Sequence, residues 1–247
     1  AEDGFVSEHT VIQIVHDDMP FLVDSVTMAV NRSGCTAHWV VHPLLAVQRL
    51  ADGTPGATAA AASARLPGVP LESLILVECD RMVAQQPRDA LAAELARVLA
   101  DVRAAVQDWR AMLERLHALA AAADAQPASA ARQEGVAFLR WLEDRHFTFL
   151  GARNYDLLRV GDGVQLQAVA DSGLGLLRGP ANTPTTVLPP DAAAVLESEQ
   201  LVLVTKAMTR STVHRPAWLD YVAVKRFDAA GQVVGEARFL GLYTASA

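Results

Sequence analysis

Residues 16–22 hold the densest chemistry in the chain: His16, Asp17 and Asp18 end an apolar run just ahead of Met19, Pro20, Phe21 and Leu22. An acid at the start of a helix accepts free backbone N–H groups and faces the positive end of the dipole. Asp18 fits an N-cap or first-turn acid, and Pro20 fits a first helical turn, where its missing N–H would have no partner anyway. A second cluster, Lys206, Arg210, His214 and Arg215, stands beside Thr209, Ser211 and Thr212. Its donors could hold a carboxylate or phosphate of a ligand or neighbouring domain; the plainer reading is an exposed loop, neutralised by Glu197, Glu199 and Asp220. His38 and His42 are four apart, as a metal pair on one strand face would be. No third ligand accompanies them at a zinc-like spacing, so no metal site is expected.

Two further stretches invite chemistry and are better read as structure. Glu143, Asp144, Arg145 and His146 put acid beside imidazole, the makings of a proton-transfer pair, but at a helix-to-strand junction such residues usually cap and orient. The run from Asp171 to Gly179 has glycines spaced G-x-G-x-x-x-G, and Pro180 stops a helix from starting at the third. Without a helix N-terminus nothing holds a pyrophosphate, so the run reads as a turn. No HExxH, GxSxG or Walker pattern occurs, and no catalytic residue is expected.

The elements that must position these groups follow from periodicity. An apolar strand pattern runs from His9 to His16, and Leu22, Val26 and Val30 then recur as one helical stripe facing a sheet. Strand, acidic turn and helix make half of a βαβ unit. Gly34 suits a helix C-cap. Residues 36–42 and 44–50 read as strands divided by Pro43, which implies a tight reversal or an edge. Residues 51–69 read as a long solvent loop, and 71–80 as an apolar strand. From Pro87 onward Leu91, Leu95, Val98, Val102, Val106, Trp109, Leu113 and Leu116 advance by threes and fours, with Arg97 and Asp101 as an i,i+4 pair. A helix continuous to residue 122 would be roughly 54 Å long, beyond the span of a small domain, so part of it should bridge domains or pack on another subunit. Residues 120–131 read as a hinge and 132–144 as a second helix. The rest is β-rich: a hairpin about Val160, Gly161, Asp162 and Gly163, a buried strand over 201–207, and a long hairpin about Ala229, Ala230 and Gly231.

Composition bounds the class. The 247 residues are 51% hydrophobic and 20% charged, as expected of a globular protein of one large or two ordinary domains. A net charge of −7 without a basic block argues against nucleic acid. No apolar run reaches the roughly 18 residues that span a bilayer, so no membrane is expected. Two cysteines, Cys35 and Cys79, make no disulfide framework and point to a reducing, cytoplasmic setting. A chain that opens on Ala1 and stops just after its final strand reads as a piece of something longer.

The strand–Asp-x-Pro–helix opening resembles the start of an ACT domain, a small βαββαβ module that commonly senses amino acids. More widely, HDDMPFLVDSV, WLEDRHFTFLGARNYDL, DSGLGLLR, LVLVTKAMTRSTVHRP and LDYVAVKRFDAAGQVVGEARFLGLYT resemble the large bacterial NAD-dependent glutamate dehydrogenases, over nearly all of residues 9–244. The resemblance implies an α+β chain from the N-terminal non-catalytic region. An ACT-like (ferredoxin-like) βαββ module would occupy 1–86, the long helix and linker 87–130, and a second β-rich module, PAS/GAF-like or ACT-like, 131–247. It also implies that an amino-acid effector would meet the turn at Asp17, Asp18, Met19, Phe21 and Leu22, where such modules present backbone N–H groups to a carboxylate. The glycine usual after the proline is Phe21 here; its side chain limits close approach and favours assembly over sensing. The implied partners are the catalytic domain of the same polypeptide and further copies in a homo-oligomer. NAD would serve the parent enzyme, with no cofactor in this segment.

Overall fold

The computed structural model describes residues 6–60, 68–161, 163–181 and 183–244. The chain forms two compact units, residues 1–102 with 212–216, and residues 103–211 with 217–247.

The first unit opens with β1 (Thr10–Asp17), α1 (Leu22–Arg32), β2 (Ala37–Val41), β3 (Leu44–Arg49), β4 (Pro55–Ala60) and β5 (Leu71–Cys79), followed by α2 (Gln85–Asp124). Its sheet runs β1-β5-β3-β4, with β2 also on β5, and every pair is antiparallel. Leu22, Val26 and Val30 are fully buried where α1 packs on β2 and β5. Gly34, at φ +86°, ends that helix as expected. Leu91, Leu95, Val98 and Val102 of α2 are buried as well, and Arg32 of α1 pairs with Glu94 of α2 at 2.7 Å. Both cysteines lie in this unit, buried, and burial with Cys35 alongside pushes the Cys79 thiol up to about 11.

Three expectations for this unit are corrected. Pro43 marks no reversal: β2 and β3 are successive lengths of one path along β5, and the Pro43 carbonyl accepts from Leu74 N–H at 3.1 Å. The supposed loop over 51–69 contains β4, which closes a hairpin on β3; residues 61–67 lie outside the described residues. Its sequence, Pro-Gly-Ala-Thr-Ala-Ala, has little strand propensity, so the ladder to β3 rather than the side chains makes it a strand. Asp18 is not the cap of α1. Phe21 occupies that position in the left-handed conformation at φ +73°, with no side-chain cap.

The second unit takes the remainder of α2, α3 (Ala130–Trp141), β6 (Phe147–Val160), β7 (Gly163–Ala168), β8 (Leu174–Gly175), β9 (Thr185–Val187), α4 (Pro190–Glu197), β10 (Val202–Arg210), β11 (Trp218–Phe227) and β12 (Val233–Tyr243). The sheet order is β10-β11-β12-β6-β7-β9, antiparallel throughout, with β8 on β6. One face buries Phe149, Val222, Val224 and Phe239 in a core shared with Met112 and Leu116 of α2 and Val136 and Leu139 of α3. Ser129 caps α3 by accepting from Arg132 N–H. Both hairpins form as expected, although Asp162 lies outside the described residues. β10 is the exception. It is an edge strand, not a buried one, with Val204 44% and Met208 97% exposed.

The glycine run lies between β7 and β9 and opens no helix. Gly175 sits at φ +56°, and a Cβ there would stand 2.2 Å from the Leu150 carbonyl. Gly161 is equally left-handed at φ +58° but has open space around it. Gly161→Ala should therefore cost about 1 kcal/mol from the backbone alone, whereas Gly175→Ala should cost at least about 3 kcal/mol because strand β6 must also move. Denaturant unfolding of the two variants checks this; equal losses would remove the close-approach argument.

Candidate functional site

The turn after β1 is tied down by the sheet. Asp18 N–H donates to Leu71 O at 2.9 Å, and the Asp18 carboxylate accepts from the Ser73 hydroxyl at 2.7 Å. His42 Nε2 lies 3.0 Å from the same hydroxyl. Ser73 is fully buried and gives its proton to the acid, which leaves its oxygen to accept from His42 and makes the trio a link between the turn and β5. Of the five expected contacts Asp17 and Asp18 are exposed, Met19 and Phe21 half-buried and Leu22 buried.

The start of α1 is covered by a segment far away in sequence. His214 N–H donates to Ser25 Oγ at 3.0 Å, and its ring lies 5.1 Å from that of Phe21. His214 Nδ1 is 3.4 Å from Asp24 Oδ2, close enough for a charge pair but not aligned for a hydrogen bond. Thr212 Oγ1 donates to Asp101 at 2.8 Å. All these residues belong to the first unit.

The cationic run is divided between the two units. Lys206 pairs with Asp220 at 2.5 Å, as one of its expected partners, and Arg210 stacks 4.9 Å over the Trp218 ring, both in the second unit. His214 and Arg215 belong to the first unit. The Glu197 side chain lies outside the described residues. His38 pairs with Asp80 at 2.8 Å, whereas His42 is held by Ser73. The 142–146 stretch forms a π-helical turn whose Arg145 and His146 carbonyls accept from Thr244, the junction role its sequence suggested. The glycine run is pinned by side chains. Asp108 accepts from Gly175 N–H at 2.8 Å and from Arg178, and Arg153 donates to the Gly179 carbonyl at 2.6 Å. Burial alone would push the Asp108 carboxyl up; Arg178 and the Gly175 N–H outweigh it and hold it below the usual range.

A second array escaped the sequence reading. On the sheet face opposite the aromatic core, Lys225, Glu236 and Tyr155 stand in one cross-strand row, with Arg238 and Tyr221 beside them. Lys225 and Glu236 are 5% and 6% exposed, far below what unpaired surface charges show. Arg238 donates to Glu236 and lies 4.1 Å over the Tyr155 ring. Lys225 Nζ donates to the Ser198 carbonyl at 2.5 Å. Burial, with the Arg132 charge adding to it, pulls the Lys225 pKa down to about 8. Burial pushes the Tyr221 phenol far up. The alternation Val222, Val224 against Ala223, Lys225 was the available signal, since it puts a lysine on a strand face with no solvent.

Residues 1–95 match the family model described as glutamate dehydrogenase, ACT1 domain. The matched stretch takes in α1 and the whole sheet of the first unit, whose arrangement is ACT-like. The chain is 35% identical over 255 residues to the NAD-specific glutamate dehydrogenase of Halomonas elongata, covering 99% of this chain and 16% of that relative. It is 36% identical over 250 residues to the enzyme of that name from Pseudomonas aeruginosa, covering 98% of this chain and 15% of the relative. The Mycobacterium tuberculosis relative is 27% identical over 240 residues, with 96% and 14% covered. This chain therefore spans about one sixth of the curated relatives' length.

Phe21 lies within the matched residues, whereas His214, which closes on it, and the Lys225 row lie outside residues 1–95. Between about pH 8 and 10.5 the folded chain has released the Lys225 proton while the unfolded chain still holds it, so stability at this site rises with pH. Relative to Lys225→Met, the wild type should gain about 1 kcal/mol between pH 7 and pH 9. Paired denaturant titrations at the two pH values measure it; a constant difference would mean that the ammonium is not desolvated.

Proposed function

We propose that this chain is an assembly and regulatory segment of a large NAD-dependent glutamate dehydrogenase. The parent reaction would convert L-glutamate, NAD and water to 2-oxoglutarate, ammonia and NADH. The catalytic domain would be another part of the same polypeptide, NAD would bind there, and the enzyme would work in the cytoplasm as a homo-oligomer. The observation that carries this reading is the 35% identity over 99% of the chain to a relative of which it is only 16%.

Assembly is favoured over sensing at the 17–22 turn. A carboxylate bound there would need free N–H groups at the start of α1. Instead it would meet the Phe21 side chain, the His214 ring tilted against it and the negative charge of Asp24. Exposed apolar strand residues supply surface for association: Trp39 and Val41 on β2 are 68% and 47% exposed.

Sedimentation velocity of the 247-residue protein over a wide concentration range tests the reading, together with melting in the presence of each L-amino acid. The expected result is concentration-dependent association with no selective thermal shift. Strict monomers at high concentration would overturn assembly. A selective shift of a few degrees, the mark of a site near saturation worth about 2.7 kcal/mol, would transfer the role to sensing.

A further inference from the structure

We propose that the cavity between α4 and the second sheet binds a small monocarboxylate, with the Lys225 ammonium as its anchor. The cavity measures about 70 Å³ and lies wholly within the second unit. Its floor carries Lys225, Glu236, Arg238 and Tyr221, and its walls include Leu166 and Leu196.

Charge counting sets the ligand's sign. Glu236 is engaged by Arg238, so those two charges cancel. Among the described residues no carboxylate lies within ion-pair distance of Lys225, whose ammonium gives one hydrogen bond, to the Ser198 carbonyl, and has two further protons to offer. The nearby Arg132 adds positive potential instead of relieving it. Among the described residues Lys225 is thus a buried cation without a counter-charge, which is strongly disfavoured, and one negative charge restores balance. The ammonium remains largely protonated at neutral pH, since burial lowers its pKa only to about 8.

Shape sets the rest. A cavity of about 70 Å³ has room for roughly five to seven water-sized atoms, the size of acetate to butyrate plus a water. Apolar walls receive an alkyl tail, and a lone ammonium suits a single carboxylate better than a phosphate dianion, whose oxygens need several donors. With Glu236 and Arg238 already paired, the remaining walls are apolar and offer a second carboxylate no partner, so dicarboxylates of similar length are rejected. This site depends neither on the parent reaction nor on the 17–22 turn, and loss of either reading leaves it standing.

The test is titration of the 247-residue protein with acetate, propionate, butyrate and glutarate, followed by carboxyl-carbon NMR of the labelled acids and by calorimetry. Butyrate should bind saturably, and glutarate at least about tenfold more weakly. Lys225→Met should weaken butyrate at least about tenfold with an unchanged circular dichroism spectrum, and Leu196→Trp, which fills the cavity and keeps the ammonium, should do the same. The wild-type titration decides the matter even if a variant fails to fold: no saturable signal from any monocarboxylate up to about 50 mM would overturn the proposal. Equal butyrate affinity in folded Lys225→Met, or glutarate binding as tightly as butyrate, would overturn it too.

Discussion

Antiparallel pairing on two central strands is the constraint from which the rest of the structure follows. β5 in the first unit and β12 in the second are bonded along both edges, and the neighbouring strands take their register from them. Because side chains alternate across a pleated strand, that register decides which residues face oil and which face one another. It sets Lys225 opposite Glu236 and Glu236 opposite Tyr155. A slip of one residue would exchange this polar row with Val224, Ala237 and Asn154 and put charge into the aromatic core.

Much of this architecture is legible in the sequence because it is written locally. The stripe of Leu22, Val26 and Val30, the long periodic run of α2 and the two glycine-centred hairpins each fall within a few turns of chain. What the sequence hides is nonlocal. β4 is a strand because β3 runs beside it. Pro43 interrupts a path along β5, a strand about thirty residues away, where a local reading of proline expects a reversal. The apolar letters of β10 suggest burial, but position in the sheet overrides them: an edge strand with one uncovered face stays wet whatever its composition.

The candidate sites divide in the same way. The chemistry of the 16–22 turn is visible as letters, but its closure is not. Nothing local says that Phe21 will adopt a left-handed backbone, or that His214, itself at φ +72°, will lie across it. Two non-glycine residues held in a sparsely populated conformation and packed on each other are kept there by their surroundings. The Lys225 row is hidden for the opposite reason. Lys225 and Glu236 look like ordinary surface charges, and only the pairing of β11, β12 and β6 gathers them with Tyr155 on a face that α4 then covers.

The placement of sulfur has a practical consequence. The chain's two thiols both lie in the first unit, and the high pKa of Cys79 leaves almost none of the thiolate that alkylating reagents attack. Modification of Cys79, which is fully buried, must therefore wait until the β5 end of that unit opens. The rate of Cys79 labelling is a clock for local opening of the first unit's sheet, built into the native sequence.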